Sequence, residues 1–281
     1  MSIIRQVEKL LWKLHKPVIH KNVKFKDIHK GETCLIFGNG AGLKFYNFEA
    51  LPKVKTIGCT YSLTDKRAKS LKLNYCVFSD PYLFYPFRIR PDKEKGKIHK
   101  NLIAPIFKKV ILNNPETIFF ASLTNYYSFF KNPKNLYFDY HFGERASMQN
   151  DLSGIFGGEM SFSALSIMIG LAKYMGFSKA IVLGCDYLGS PLMESHFYAE
   201  YKPFFGKDAR DYCERVKKIS NGIDILCIFP KGIKSLDFNY ASFEEYFGSP
   251  EIYQENKEII DPLYMDLMLK AAEVKQIWIK E

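Results

Sequence analysis

The sequence predicts an open α/β fold, a mostly parallel sheet with helices on both faces, in one domain preceded by a basic amphipathic arm. Three observations predict it. Short apolar runs alternate along the chain with segments of helical period, and strands separated by helices pair in parallel through crossovers. The first run, Thr33 to Phe37, leads straight into Gly38-Asn39-Gly40-Ala41-Gly42, the Rossmann-like way of ending a buried strand beside a ligand. The 281 residues, 47% hydrophobic and 25% charged, suit one well-cored globular domain rather than a disordered chain.

The elements follow in order. Residues 1–30 form the arm: Ile3, Ile4, Val7, Leu10, Leu11 and Leu14 recur at helical spacing beside Trp12, with Arg5, Lys9, Lys13 and Lys16 around them, and Pro17 is expected to stop the helix. Residues 31–281 form the domain. Its strands are predicted at Thr33–Gly38, Val54–Cys59, Tyr75–Ser79, Thr117–Ala121, Leu136–Tyr140, Ala180–Gly184 and Ile223–Phe229. Helices are predicted near Leu63–Leu71, Ile103–Leu112, Phe162–Met175, Ala209–Ser220, Phe243–Phe247 and Pro262–Val274. Residues 88–100 read as a mobile basic loop, and Tyr126–Phe130 with Tyr137–Phe142 as an aromatic-rich satellite layer or lid.

Charge is concentrated. Residues 1–30 carry eight Lys and Arg against two acids, and 88–100 carry six against two, which together equal the net charge of +10. A basic amphipathic segment at 1–17 can lie on an anionic membrane or pack on the domain. The chain shows neither a spanning apolar run nor a secretory signal, so a cytoplasmic protein is expected, with peripheral attachment at the inner face of the membrane left open. Zinc-finger, helix-turn-helix and RNP patterns are missing, so nucleic acid is not an expected partner. The six cysteines form no CxxC pair and read as small buried hydrophobes in a reducing compartment. A homo-oligomer is left open.

The strand ends carry the chemistry. Gly38, Asn39 and Gly40 form either a tight bend or a cradle whose amides face a phosphate. The dinucleotide fingerprint fails: its third glycine position is Leu43, and the second strand ends in Cys59-Thr60-Tyr61 without an acid. The chain also lacks a P-loop and a DxD pair. Thr60 and Tyr61, Ser79-Asp80 and Cys185-Asp186-Tyr187 place hydroxyls and carboxylates where a ribose and base are read, or where turns are simply capped. A second glycine cluster, Gly154 to Gly158, leads to Ser161 or Ser163 as the cap of a long apolar helix whose amides suit a phosphate.

Four stretches in this order resemble the bacterial sialyltransferases of glycosyltransferase family forty-two: GNGAGL (38–43), CTYS (59–62) with FSDPYLF (78–84), the Ser161/Ser163 helix start, and GFSKAIVLGCDY (176–187). The resemblance spans roughly residues 33–230. It implies transfer of a nonulosonic-type sugar, sialic acid or Kdo-like, from a CMP-activated donor to a glycan or glycolipid acceptor such as lipooligosaccharide or capsule. It implies no cofactor and no essential metal. Gly38, Asn39 and Gly40 match its donor turn, while Thr60 and Asp80 stand where the family has asparagines. Asp186 matches its Gly-x-Asp strand end. The family's histidine base aligns with Phe204-Phe205-Gly206-Lys207, where this chain has none, so His196 is the expected general base, with Tyr187 and Tyr198 assisting the departing phosphate. His141, near Arg145, is the second choice. Two other readings stand beside this one: an ATP- and magnesium-dependent pyrophosphokinase-like enzyme, and a non-catalytic nucleotide or glycan binder.

Overall fold

A computed structural model of the chain describes residues 14–80, 82–89, 98–139, 163–199, 204–207 and 209–268. Helix α1 covers residues 14–20 and continues as a 3-10 turn, Lys21–Phe25. Strands β1 (Thr33–Phe37), β2 (Lys55–Cys59) and β3 (Tyr75–Phe78) follow, then a hairpin of β4 (Phe87–Ile89) and β5 (Ile98–Lys100). Helix α2 (Ala104–Asn113), β6 (Ile118–Ser122), β7 (Leu136–Asp139), α3 (Ala164–Tyr174) and β8 (Lys179–Leu183) come next. A second hairpin, β9 (Leu192–Glu194) with β10 (Phe204–Gly206), precedes α4 (Arg210–Ile219) and β11 (Asp224–Phe229). The described chain closes with β12 (Asn239–Ser242), α5 (Phe243–Phe247), α6 (Asn256–Ile259) and α7 (262–268).

Eight strands form one parallel sheet in the order β12-β11-β8-β1-β2-β3-β6-β7. Successive residues of each strand face opposite sides, and both sides are covered. Cys34 and Ile36, Ile57 and Cys59, and Val182 and Cys227 share a core with α3, α4 and Phe25. Leu35 and Phe37, Phe78, Phe119 and Leu183 share the other with α2, Phe243 and Tyr264. Double coverage is why the strands read as unbroken apolar runs in the sequence.

The arm departs from expectation. Residue 17 is a proline inside α1 rather than its end; proline costs a helix only its own N–H and a clash one turn back, and buried Ile19 holds the next residues helical. From residue 14 onward the segment packs on the edge strand β7: Asn22 Nδ2 donates to Phe138 O at 2.8 Å, and the Phe25 ring meets Phe120 and Tyr137 edge-on. This covers one exposed sheet edge. Residues 1–13, which carry most of the predicted membrane-facing stripe, lie outside the described residues.

Three more differences have local causes. The predicted helix at 63–71 is two 3-10 turns, because the Asp65 carboxylate accepts the Arg67 amide and interrupts the helical ladder. Part of the predicted basic loop is strand, since 87–89 pairs antiparallel with 98–100, while residues 90–97 lie outside the described residues. Strand β12, Asn-Tyr-Ala-Ser, is exposed or half-buried and has no apolar run to announce it. Among the described residues, no helix is long and apolar enough to cross a membrane.

Candidate functional site

Strand order reverses at β1, whose neighbours are β2 on one side and β8 on the other. In an open parallel sheet, ligands bind outside the carboxyl ends of the strands at such a switch point. Gly38-Asn39-Gly40 follows β1 there, and Gly184-Cys185-Asp186 follows β8. The two segments continue to pair beyond the strands: the Gly38 amide donates to Leu183 O at 2.8 Å and the Gly40 amide to Gly184 O at 2.7 Å. A Cβ on Gly38 would stand 2.2 Å from Gly184 O, so only glycine permits this approach.

Asp186 organises the turn. Its carboxylate accepts the Gly42 amide at 2.8 Å and is also bonded by the Ala41 amide, at the start of a 3-10 turn, Ala41–Phe45. A Cβ on Gly40 would lie 2.4 Å from Asp186 Oδ2, and one on Gly42 2.7 Å from Oδ1. The amides of residues 38, 40 and 42 are thus already donated within the chain. Two acceptors remain at the turn: Asn39 Oδ1 and Asp186 Oδ1 are buried and receive no hydrogen bond among the described residues.

Burial pushes the Asp186 carboxyl up to about 7, against the opposing pull of the Gly42 and Ala41 amides. Below the ordinary value of 3.8, folded and unfolded chains both hold this proton. Between that value and about 7 only the folded chain holds it, so stability falls as pH rises through this window, and the full cost persists above it. Asp186→Asn keeps an acceptor for the Gly42 amide and never ionises. Its stability relative to the parent is expected to improve by on the order of 2–3 kcal/mol between about pH 5 and pH 8 in urea titrations. A difference independent of pH would show that Asp186 ionises as it does in water.

The second strand end lies alongside. Thr60 has a positive φ of 37° and donates its amide to Val77 O at 2.9 Å, turning the chain so that the Tyr61 ring lies 4.1 Å from that of Tyr198. Tyr198 in turn stacks on His196 at 4.9 Å and 19°. This loop is tied to the glycine turn in three places. Gly40 and His196 form an antiparallel bridge, the Phe197 amide donates to Asn39 O at 3.0 Å, and Lys44 Nζ donates to Ala199 O at 2.7 Å. Burial lowers the Lys44 ammonium from its ordinary value, with Glu255 opposing. Ser195, next to the histidine, has φ 129°. Non-glycine residues held in such conformations gather at functional sites. Asp80, at the end of β3, receives a hydrogen bond on its carbonyl from Asn125 Nδ2 at 3.2 Å.

Ser163 caps α3 with a reciprocal bond to Ser166 and accepts from Tyr212 Oη at 3.1 Å. The Tyr187 ring lies 5.8 Å from Tyr212 and is 47% exposed, turned toward α4. Tyr187 directly follows Asp186 in the turn after β8, so this second group lies on the same rim of the sheet, and burial raises the Tyr212 phenol against the opposing Ser163 hydrogen bond. The structure therefore brings Gly38, Asn39, Gly40, Asp186, Tyr61, Tyr198 and His196 into one contiguous group, and Ser163 with Tyr187 into another. Ser161, His141 and Arg145 lie outside the described residues. Phe204 to Gly206 form β10, paired with β9.

Lys44 and Tyr212 escaped the sequence reading. Lys44 had a usable signal, a lysine inside an otherwise small and apolar turn. Tyr212 sits in an ordinary amphipathic helix and had none. All six cysteines are unpaired thiols, and burial raises Cys34 and Cys59 to about 12. Among the described residues no cluster of three metal-ligating side chains occurs. A concavity of about 440 Å³ lies at the opposite end of β11 around Lys217, Asp224 and Asp237, away from this rim.

No family model and no curated protein matches the chain. Among solved structures it is similar to the sialyltransferase CstII from Campylobacter jejuni in complex with a substrate analogue, CMP-3FNeuAc: TM-score 0.46, 17% identity, 82% of this chain and 95% of that one. The sialyltransferase CST-II in complex with a trisaccharide acceptor and CMP gives the same values. The monofunctional alpha-2,3-sialyltransferase Cst-I from Campylobacter jejuni gives TM-score 0.46 and 16% identity over 88% of this chain and 96% of that one.

Proposed function

We propose that the protein is a glycosyltransferase that moves a nonulosonic-type sugar from a CMP-activated donor to a glycan acceptor, without an essential metal. The observation that carries this reading is the convergence at the β1/β8 switch point. There two buried side-chain oxygens, Asn39 Oδ1 and Asp186 Oδ1, lie on the turn that is bridged to His196.

The polarity of that turn refines the expectation drawn from the glycines. With the amides of 38, 40 and 42 donated internally, the turn keeps none of these three donors for a phosphate. The donor phosphate is then placed toward the N-terminus of α3, where Ser163 and the first helical amides lie. In the transfer step His196 takes the proton of the acceptor hydroxyl. The acceptor oxygen bonds to the anomeric carbon as its bond to the CMP phosphate breaks, and CMP leaves with the electron pair. Hydroxyls of Tyr198 and Tyr187 stabilise the charge gathering on that phosphate. Thr60, Tyr61 and Asp80 line the nucleoside side in this reading.

Binding distinguishes the alternatives. CMP is expected to bind with the same affinity in the presence and absence of Mg²⁺, measured by calorimetry against CDP, UDP and ATP. Binding of ATP only with Mg²⁺, and none of CMP, would overturn the assignment in favour of a pyrophosphokinase-like enzyme.

A further inference from the structure

We infer that the aromatic surface formed by Tyr82, Tyr85, Phe87 and Tyr127 is a carbohydrate platform that holds the pyranose rings of the acceptor beside the crevice. The loops after β3 and β6 build it. Tyr82 and Tyr85 lie 6.2 Å apart and Tyr85 and Phe87 5.4 Å apart. Tyr127 sits in the 3-10 turn Leu123–Ser128, whose Thr124 and Asn125 bond the backbone of Tyr82 and Phe84, and burial raises the Tyr85 phenol. These rings remain open to solvent: Tyr82 is 43%, Phe87 38% and Tyr127 70% exposed.

The platform is held rigidly from below. Asn125, fully buried, accepts the Phe84 amide at 3.1 Å, while the Tyr82 amide donates to Thr124 Oγ1 at 3.3 Å. Phe84 is buried against Phe129, Asn101 Nδ2 donates to Leu83 O at 2.6 Å, and Tyr127 Oη shares a 2.7 Å hydrogen bond with His15 Nε2. Tyr82 itself has φ 56°, a costly conformation for a bulky residue. A strained backbone that turns a ring outward, on an anchored loop, is an arrangement for contact rather than for packing.

Ring chemistry selects the occupant. A pyranose has a face of C–H bonds and a rim of hydroxyls, matching tyrosine's apolar ring and polar tip. Position agrees. The same Asn125 donates to Asp80 O, so the platform is continuous with the end of β3, and β3 neighbours the strand that leads to Tyr61. The acceptor role rests on the transferase reading; the stacking does not.

The test uses the full chain and three neutral disaccharides, lactose, N-acetyllactosamine and cellobiose, as probes in saturation-transfer NMR. At least one is expected to bind. Tyr82→Ala and Tyr127→Ala, both at exposed positions, are expected to weaken that binding about fivefold or more while CMP affinity stays within about twofold. Binding of none of the three, or full binding by both variants, overturns the inference. So does loss of anionic-vesicle binding (phosphatidylcholine with phosphatidylglycerol) in the variants with disaccharide binding intact, which would make the patch a lipid contact. Disaccharide binding at these tyrosines without any CMP binding would sustain the platform and sink the transferase reading.

Discussion

Replacing His196 with alanine is expected to lower the rate of sugar transfer by about 10²–10⁴-fold, the usual contribution of a positioned general base. CMP affinity should barely move. An imidazole is the side chain whose ordinary titration lies nearest neutrality, so it can take the acceptor proton at working pH. Its position here is fixed twice over, by stacking on Tyr198 and by the backbone bridge to Gly40. His196→Phe separates the two roles. It preserves the stack on Tyr198 and removes the imidazole, so under the proposed role it should be as inactive as the alanine variant. If the phenylalanine variant recovers transfer, the ring serves packing alone and the base is another group. Loss of CMP binding in both variants would instead make the loop part of the donor pocket.

Arg67→Ala is expected to destabilise the fold by about 3–5 kcal/mol, the cost of removing one partner of a buried ion pair. The guanidinium meets Asp65 through Nε at 3.0 Å and through a terminal nitrogen at 2.6 Å, and Asp65 is almost fully buried. The remaining donors reach Leu43 O at 3.1 Å, Tyr46 O at 3.2 Å and Gln254 Oε1 at 2.6 Å, and the plane lies 4.2 Å over the Phe48 ring. Arg67 therefore closes the carboxyl end of the same short turn whose amide end Asp186 closes. Lysine cannot reproduce this fork, so Arg67→Lys should recover only part of the loss. Urea unfolding measures both. A change below about 1 kcal/mol for the alanine variant would show that solvent or neighbouring carbonyls replace the guanidinium readily.

These two residues show how a site is assembled from distant parts of a chain. The turn 41–45 is capped by a residue 144 positions away and clamped by another 24 positions away, and Lys44 within it reaches the histidine loop 155 positions away. The segment at 252–254 adds backbone bonds to Phe45 O at 3.1 Å and Lys44 O at 2.8 Å. None of these pairings leaves a periodicity in the sequence, because each depends on where the sheet places the strand ends.

The sequence by itself determined the architecture. Strands β1, β2, β3, β6, β7, β8 and β11 were legible because a doubly covered sheet needs apolar residues on both faces, and α3 and α4 because their apolar stripes recur with helical period. It also put the glycines and hydroxyls after the strands, on the rim where the site is proposed. Elements stabilised by polar or edge contacts were illegible: β12 exposes its side chains, and the 62–69 segment is broken by Asp65. Only the tertiary structure decided what the glycines at 38–42 are for. Their Cβ positions would collide with Gly184 and Asp186, and their amides bond across the β1/β8 seam. A missing side chain is visible in a sequence; the atom that requires its absence becomes visible only when the chain is folded.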